Sequence, residues 1–289
     1  MTCGAARNLR RVETLAGIKV VTLAPNVPGP VAAARLRDLG AHVTKIEPPA
    51  GDMLAHSAPR WYAALHRGCT VEVLDGKSAA GRAALAERLE RADVLLTSSR
   101  LSSLERLGLG WDELHARHPK LVHVAIVGFP PPDDERAGHD LNYVAQLGLV
   151  SPPAMPRTLL ADLAGAERAV TATLGLLLRR EREGEAGREL VSLRDAAVVF
   201  AEPLAHGLTQ ESGVLGGAAA IYRLYEARTG WVAVGALEPH FAARLGELLG
   251  VPSSDATALA EVFATRDATA WEAWGDECGL PVSAVAPKV

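Results

Sequence analysis

The sequence predicts an α/β protein: an open, mostly parallel sheet with helices on both faces (a Rossmann-like large domain), followed by a smaller α+β domain. Three observations carry this. From Lys19 to Phe129, short Val- and Leu-rich runs alternate with helix-like segments, the pattern of successive β-α-β units. After Gly213 the pattern changes to two strand-like runs, IYRLYEA and WVAVGAL, that meet at Arg228-Thr229-Gly230 as a hairpin. The length, 289 residues, suits one large or two modest domains. The boundary is expected near residue 210, giving a large domain over 1–210 and a small one over 211–289.

The elements follow in order. KVVTLA (19–24) is the first strand, and Pro25-Asn26-Val27-Pro28-Gly29 is the loop after it. Pro30 opens the helix PVAAARLRDLG, which Gly40 stops. VTKIE (43–47) and VEVLD (71–75) are strands, and KSAAGRAALAERLERA is the helix after the second. DVLLTS (93–98) leads to the helix LSSLERLGLG, and LVHVAIVGF (121–129) is the last strong strand. Residues 130–156 are proline-rich and irregular, apart from the helix-like HDLNYVAQLG. Two long helices are then expected, over 162–180 and about 189–208, separated by the charged link EREGEAGRE. GVLGG (213–217) is a hinge. Helices run on from Glu238, and PVSAVAP is a closing strand.

Composition narrows the function. Hydrophobic residues make up 48% and charged residues 22%, as in an ordinary globular domain. The net charge of −4 leaves no basic field for a nucleic-acid backbone. Apolar runs such as Leu174–Leu178, closed by Arg179 and Arg180, fall well short of the roughly 20 residues of a membrane span. The N-terminal MTCGAARNLRRVET lacks the apolar core of a secretory signal. Cys3, Cys69 and Cys278 are odd in number and widely spaced, which opposes a disulfide framework or zinc site and fits a cytoplasmic protein. There is no G-x-G-x-x-G after the first strand, no G-x-x-x-x-G-K-[ST] and no G-x-S-x-G. His115 and His118, three apart and without a further ligand, are read as solvated helix residues, and no metal is expected.

AGHDLNYVAQLG is more informative. His139 and Asp140 stand at the start of a helix-like stretch. Histidine is the residue type suited to proton transfer near neutral pH, and a helix N-terminus presents free N–H groups to a developing oxyanion. Asp162 precedes a long helix, and Glu238, in GALEP, precedes another. Each is also a natural helix-start residue with a purely structural use. As a pair, His139 and Asp162 have the chemistry needed to take a proton from one face of a carbon and return one to the other.

Four segments carry a family resemblance: LAGIKVVTLAPNVPGPVAAARLRDLGAHVTKIEPPAGD, SLERLGLGWDELHARHPKLVHVAIVGF, GHDLNY and IYRLYEARTGWVAVGALEPHF. In these the chain resembles the family III CoA-transferases, which include formyl-CoA and carnitine CoA-transferases and the 2-methylacyl-CoA racemases; GHDLNY is the form of the racemase branch. The resemblance implies an interlocked homodimer with active sites between subunits, and no prosthetic group, coenzyme A entering as part of the substrate. It implies that His139 and Asp162 are the two bases, that Glu238 supports the histidine, and that Asp140 offers its backbone N–H to the thioester oxygen.

Departures from the family pattern cluster on CoA. Expected cations are replaced by Cys69, Thr70 and Pro48, and the F-R-P-G loop has become Ser99-Arg100-Leu101-Ser102. Lys45, Arg67 and Arg100 are the remaining cations for the phosphates. The expectation is a racemase or epimerase that inverts the α-carbon of an acyl-CoA. The alternatives are an isomerase or lyase acting on another enolisable carbonyl compound, a CoA-transferase with Asp162 as nucleophile, and a non-catalytic relative.

Overall fold

Strand β1 (Lys19–Thr22) alternates its side chains between two cores: Val20 packs on one face of the sheet and Val21 on the other. The computed structural model describes residues 13–287, so Cys3 and the N-terminal segment lie outside the described residues. Helix α1 (Pro28–Asp38) starts with prolines in its first turn, where no N–H is needed. Its Gly29 lies so close to the end of β1 that a Cβ there would run into Ala24. The chain continues through β2 (His42–Glu47), α2 (Met53–Ser57), α3 (Pro59–Leu65), β3 (Thr70–Val73) and α4 (Ala79–Glu90), which Ser78 caps through the Gly81 amide at 2.9 Å. Then come β4 (Val94–Thr97), α5 (Leu101–Arg106), α6 (Trp111–Arg117) and β5 (Val122–Val127). β4 and β5 are buried at every residue, as central parallel strands covered on both faces are.

After β5 the chain forms α7 (Asp140–Gln146) and the long α8 (Leu160–Glu183), which ends at the left-handed Gly184. Here one expectation is corrected. Residues 189–192, assigned from the sequence to a second long helix, form β6 (Arg188–Ser192), paired in parallel with β5 (Ala125 with Leu190, Ile126 with Val191). Five residues bear helical and strand periodicity equally well; the unpaired edge of β5, reached after α8 turns back, decides between them. Short helices α9 (Leu193–Ala196) and α10 (Val198–Ala205) follow.

The six strands are all parallel, in the order β3-β2-β1-β4-β5-β6. One face is covered by α1 and α8, whose Leu36, Ala166 and Ala169 meet Val20, Leu96 and Val124. The other is covered by α4, α5 and α6 through Leu85, Leu104 and Leu114.

The chain divides into two units, the first ending at Val199 and the second starting at Phe200, within α10. The second has a three-stranded antiparallel sheet, β7 (Tyr222–Glu226), β8 (Trp231–Gly235) and β9 (Val282–Ala284), in that order. Its helices are α11 (Pro239–Leu249), α12 (Ala256–Phe263) and α13 (Ala268–Cys278). Trp271, fully buried, stacks edge-on against Phe263 at 5.0 Å and donates its indole N–H to the Phe263 carbonyl at 2.8 Å.

Candidate active site

The strand order of the large sheet reverses between β1 and β4, so the loops leaving their carboxyl ends run apart. In open parallel sheets that is where ligands bind. A cavity of about 440 Å³ opens there. It is walled by Pro25–Pro28 after β1, Ser98–Arg100 after β4, Ile126–Gly128 at the end of β5, and Arg136–His139 ahead of α7. Met53, Tyr143, Leu193 and Asp162 complete it, with Asp134 at the loop.

His139 sits at the cap position of α7 in extended backbone, exposed, and its N–H donates to Asn142 Oδ1 at 3.0 Å. Asp140 begins the helix and is 5% exposed; its Oδ1 accepts the backbone N–H of Asp162 at 3.0 Å. That bond ties the start of α7 to the first turn of α8, so His139 and Asp162 come to one cavity although 23 residues apart in sequence. Burial, with the neighbouring Asp140 charge in second place, pushes the Asp162 carboxyl up from 3.8 to about 6. The backbone N–H of Asp140 is among the first-turn donors that an α-helix leaves without an internal acceptor.

Tyr143 forms the rear of this wall. Its ring is buried, meets Phe129 edge-on at 5.1 Å, and leaves no room for a side chain at Gly128 or Gly138: a Cβ on Gly138 would stand 2.8 Å from the ring. Burial and the two aspartates raise its phenol above the usual range. The two glycines therefore set how closely strand, loop and helix approach one another around His139.

The predicted cations part company. Arg100 lines the cavity. Arg67 is exposed on the loop ahead of β3 and is not among the cavity residues. Lys45 is 1% exposed and already engaged by Glu47 (3.1 Å) and Asp52. A cation that sequence reasoning missed, Arg136, lines the cavity with its guanidinium 4.5 Å above the Phe129 ring. Its only sequence signal was its place three residues before His139. Glu238 belongs to the second unit, exposed at the cap position of α11. His115 stacks on Trp111 at 4.8 Å, and among the described residues no group of three or more His, Cys, Asp or Glu side chains is placed to hold a metal ion.

The family model of CoA-transferase family III matches residues 15–287. The chain belongs to CoA-transferase family III. It is 31% identical over 292 aligned positions to the alpha-methylacyl-CoA racemase of Mus musculus, covering 89% of this chain and 74% of that protein. It is 32% identical to the alpha-methylacyl-CoA racemase of Homo sapiens, covering 83% and 66%. The acetyl-CoA:oxalate CoA-transferase of Acetobacter aceti is also similar, at 29% identity over 64% of this chain and 52% of that one. Among solved structures, the hypothetical protein Rv3272 of Mycobacterium tuberculosis superposes with a TM-score of 0.83 at 26% identity, over 94% of this chain and 84% of that one. No helix among the described residues is long and apolar enough to cross a membrane.

Proposed function

We propose that the protein inverts the α-carbon of an acyl-CoA thioester by proton transfer through an enolate. The observation that carries this is the convergence of His139 and Asp162 on one cavity, with the Asp162 carboxyl pushed up to about 6. A carboxyl held there is close enough to neutral pH to take a proton in one direction and give one in the other, the condition under which general acid–base catalysis is efficient. One of the two groups removes the α-proton; the electron pair moves onto the thioester oxygen. The free N–H of Asp140 receives that oxyanion, a contribution of about 3 kcal/mol in comparable sites. The other group protonates the opposite face, and the two then hold each other's original protonation states.

Arg100 and Arg136 are the cations we assign to the anionic part of the substrate, with charge-assisted hydrogen bonds. The reading is also supported by the similarity to two alpha-methylacyl-CoA racemases over more than four fifths of the chain.

The test is 2-methylbutanoyl-CoA of one configuration in deuterated water. Inversion with deuterium at the α-carbon of the product is the expected result. Transfer of CoA to an added carboxylate, without deuterium at carbon, would instead make Asp162 the nucleophile of a CoA-transferase that passes through an acyl anhydride.

A further inference from the structure

We propose that Lys45 and Asp52 are a positioning pair for this cavity: the Asp52 carboxylate, oriented by Lys45, holds the Asn26 loop and the Met53 turn that form the wall on the β1 side. The inference rests on the reaction proposed above and adds to it residues that touch neither substrate nor reacting atoms.

The two oxygens of Asp52 do different work. Oδ2 bonds the Lys45 ammonium, and Oδ1 accepts the backbone N–H of Asn26 at 3.1 Å and of Leu54 at 2.9 Å. Asn26 itself lines the cavity, and Leu54 follows directly on Met53, which also lines it. One carboxylate thus joins two segments 26 residues apart into one wall. Asn26 is the one non-glycine residue among those described with positive φ, at 68°. Asparagine is among the few residues besides glycine that enter this left-handed region readily, and here its N–H is held by Asp52.

Lys45 is fixed in turn. Its Nζ lies 3.1 Å from Glu47 Oε1 and 5.0 Å from the centroid of the Tyr62 ring, while the Tyr62 hydroxyl donates to the same Glu47 oxygen at 2.7 Å. Burial alone would raise the Asp52 carboxyl, yet the hydrogen bonds from Lys45, Leu54 and Asn26 hold it below the usual carboxylate range. Buried ion pairs add little net stability over apolar residues of the same size. What this pair supplies is a carboxylate of fixed direction. Lys45 is thereby withdrawn from the phosphate-binding role expected of it.

Three variants of the full chain test this: D52N, which retains a side-chain oxygen for the two amides; D52L, which does not; and K45M/E47Q/D52L, which leaves no unpaired buried charge and so remains folded where D52L alone fails. Three quantities are measured: amide exchange at Asn26, α-deuterium incorporation into 2-methylbutanoyl-CoA, and calorimetric affinity for acetyl-CoA. In D52L and the triple variant, Asn26 is expected to lose protection. In both, kcat is expected to fall by about 10- to 100-fold, the scale of a small misplacement of bound substrate. Affinity for acetyl-CoA should stay within about threefold, since uniform binding is untouched, and D52N should recover most of kcat.

Wild-type kcat in the triple variant would overturn the proposal, as would unchanged protection of Asn26. A fall of more than about tenfold in acetyl-CoA affinity at unchanged kcat would make Lys45 a phosphate ligand after all. If the wild-type protein incorporates no deuterium, the reaction reading fails by itself. Asn26 protection, lost in D52L and the triple variant and kept in D52N, then decides the positioning claim.

Discussion

The two ends of β5 treat an ionisable group in opposite ways. Near its start, His123 is 1% exposed inside the sheet, with Nε2 3.0 Å from the Thr97 hydroxyl and the Trp111 ring 6.3 Å away. Burial, with a smaller contribution from Arg188, lowers its pKa to about 3, so it is neutral at every ordinary pH. Beyond its far end, burial raises Asp162 to about 6, within the range where proton transfer is useful. The same desolvation acts at both places and favours the uncharged form of each group. A histidine buried in this way becomes a structural residue, whereas an aspartate buried at a cavity wall becomes a candidate acid and base. What separates them is access to the cavity, not the strength of the perturbation.

The largest expected effect separates His139 from His123. His139→Ala should lower deuterium incorporation into 2-methylbutanoyl-CoA by about 10²–10⁴-fold, the usual contribution of a general acid or base. Because His139 is exposed, its thermal midpoint should hardly move. An unchanged rate would remove His139 from the mechanism. In the wild type, the direction in which Asp162 accepts the proton should lose rate as pH falls below about 6.

The second prediction concerns stability, where the two groups have opposite signs. Between pH 6.5 and about 3 the unfolded chain protonates His123 and the native state does not, so stability falls with acid by up to about 1.4 kcal/mol per pH unit. Between 3.8 and about 6 the native state holds the Asp162 proton more tightly, so that group lowers stability as pH rises. Urea unfolding across this range should therefore show His123→Gln flattening the acid loss, and Asp162→Asn raising stability above pH 6 while abolishing turnover. Asp162→Asn with unchanged stability at pH 7 would mean that its carboxyl is not desolvated.

Next in size is the packing that shapes the cavity end. Gly128→Ala would drive a methyl group into the Tyr143 hydroxyl, and overpacking of this kind costs about 1–3 kcal/mol. The expected result is a lower thermal midpoint together with a reduced kcat. A drop in the midpoint alone would show that the Tyr143 wall is structural only.

The smallest effect is expected from the cations. Arg136→Met and Arg100→Met should each weaken acetyl-CoA binding by roughly tenfold, about one charge-assisted hydrogen bond, and make it less sensitive to salt. Their pH profiles should retain the Asp162 limb. No change in affinity for either variant would place the phosphates elsewhere.

Much of this was legible in the chain. The alternation of KVVTLA, VTKIE, DVLLTS and LVHVAIVGF with helical segments was enough for the parallel sheet, because strands covered on both faces must be apolar almost throughout. GHDLNY marked His139 and Asp140 by residue type and by their place at a helix start. Arg188–Ser192 was not legible as a strand, because so short a segment takes its conformation from the neighbour it pairs with. Arg136 was not legible because nothing in ERAGHD distinguishes a guanidinium stacked on Phe129 from one in solvent. Lys45 was counted among the cations left for the phosphates because sequence does not reveal which carboxylates lie beside a buried ammonium.

The sequence by itself determined the five strands of the large sheet ahead of α8, the family resemblance and the candidate side chains of the proposed chemistry, since these rest on local periodicity and residue chemistry. Tertiary structure alone decided that Asp140 ties α7 to α8 and brings Asp162 to the cavity of His139. It also decided that desolvation lifts Asp162 to about 6, and that Lys45 and Asp52 are sealed beneath the Asn26 loop. Burial and the approach of charges distant in the chain are properties of the packed molecule, and they set the ionisation on which the proposed chemistry depends.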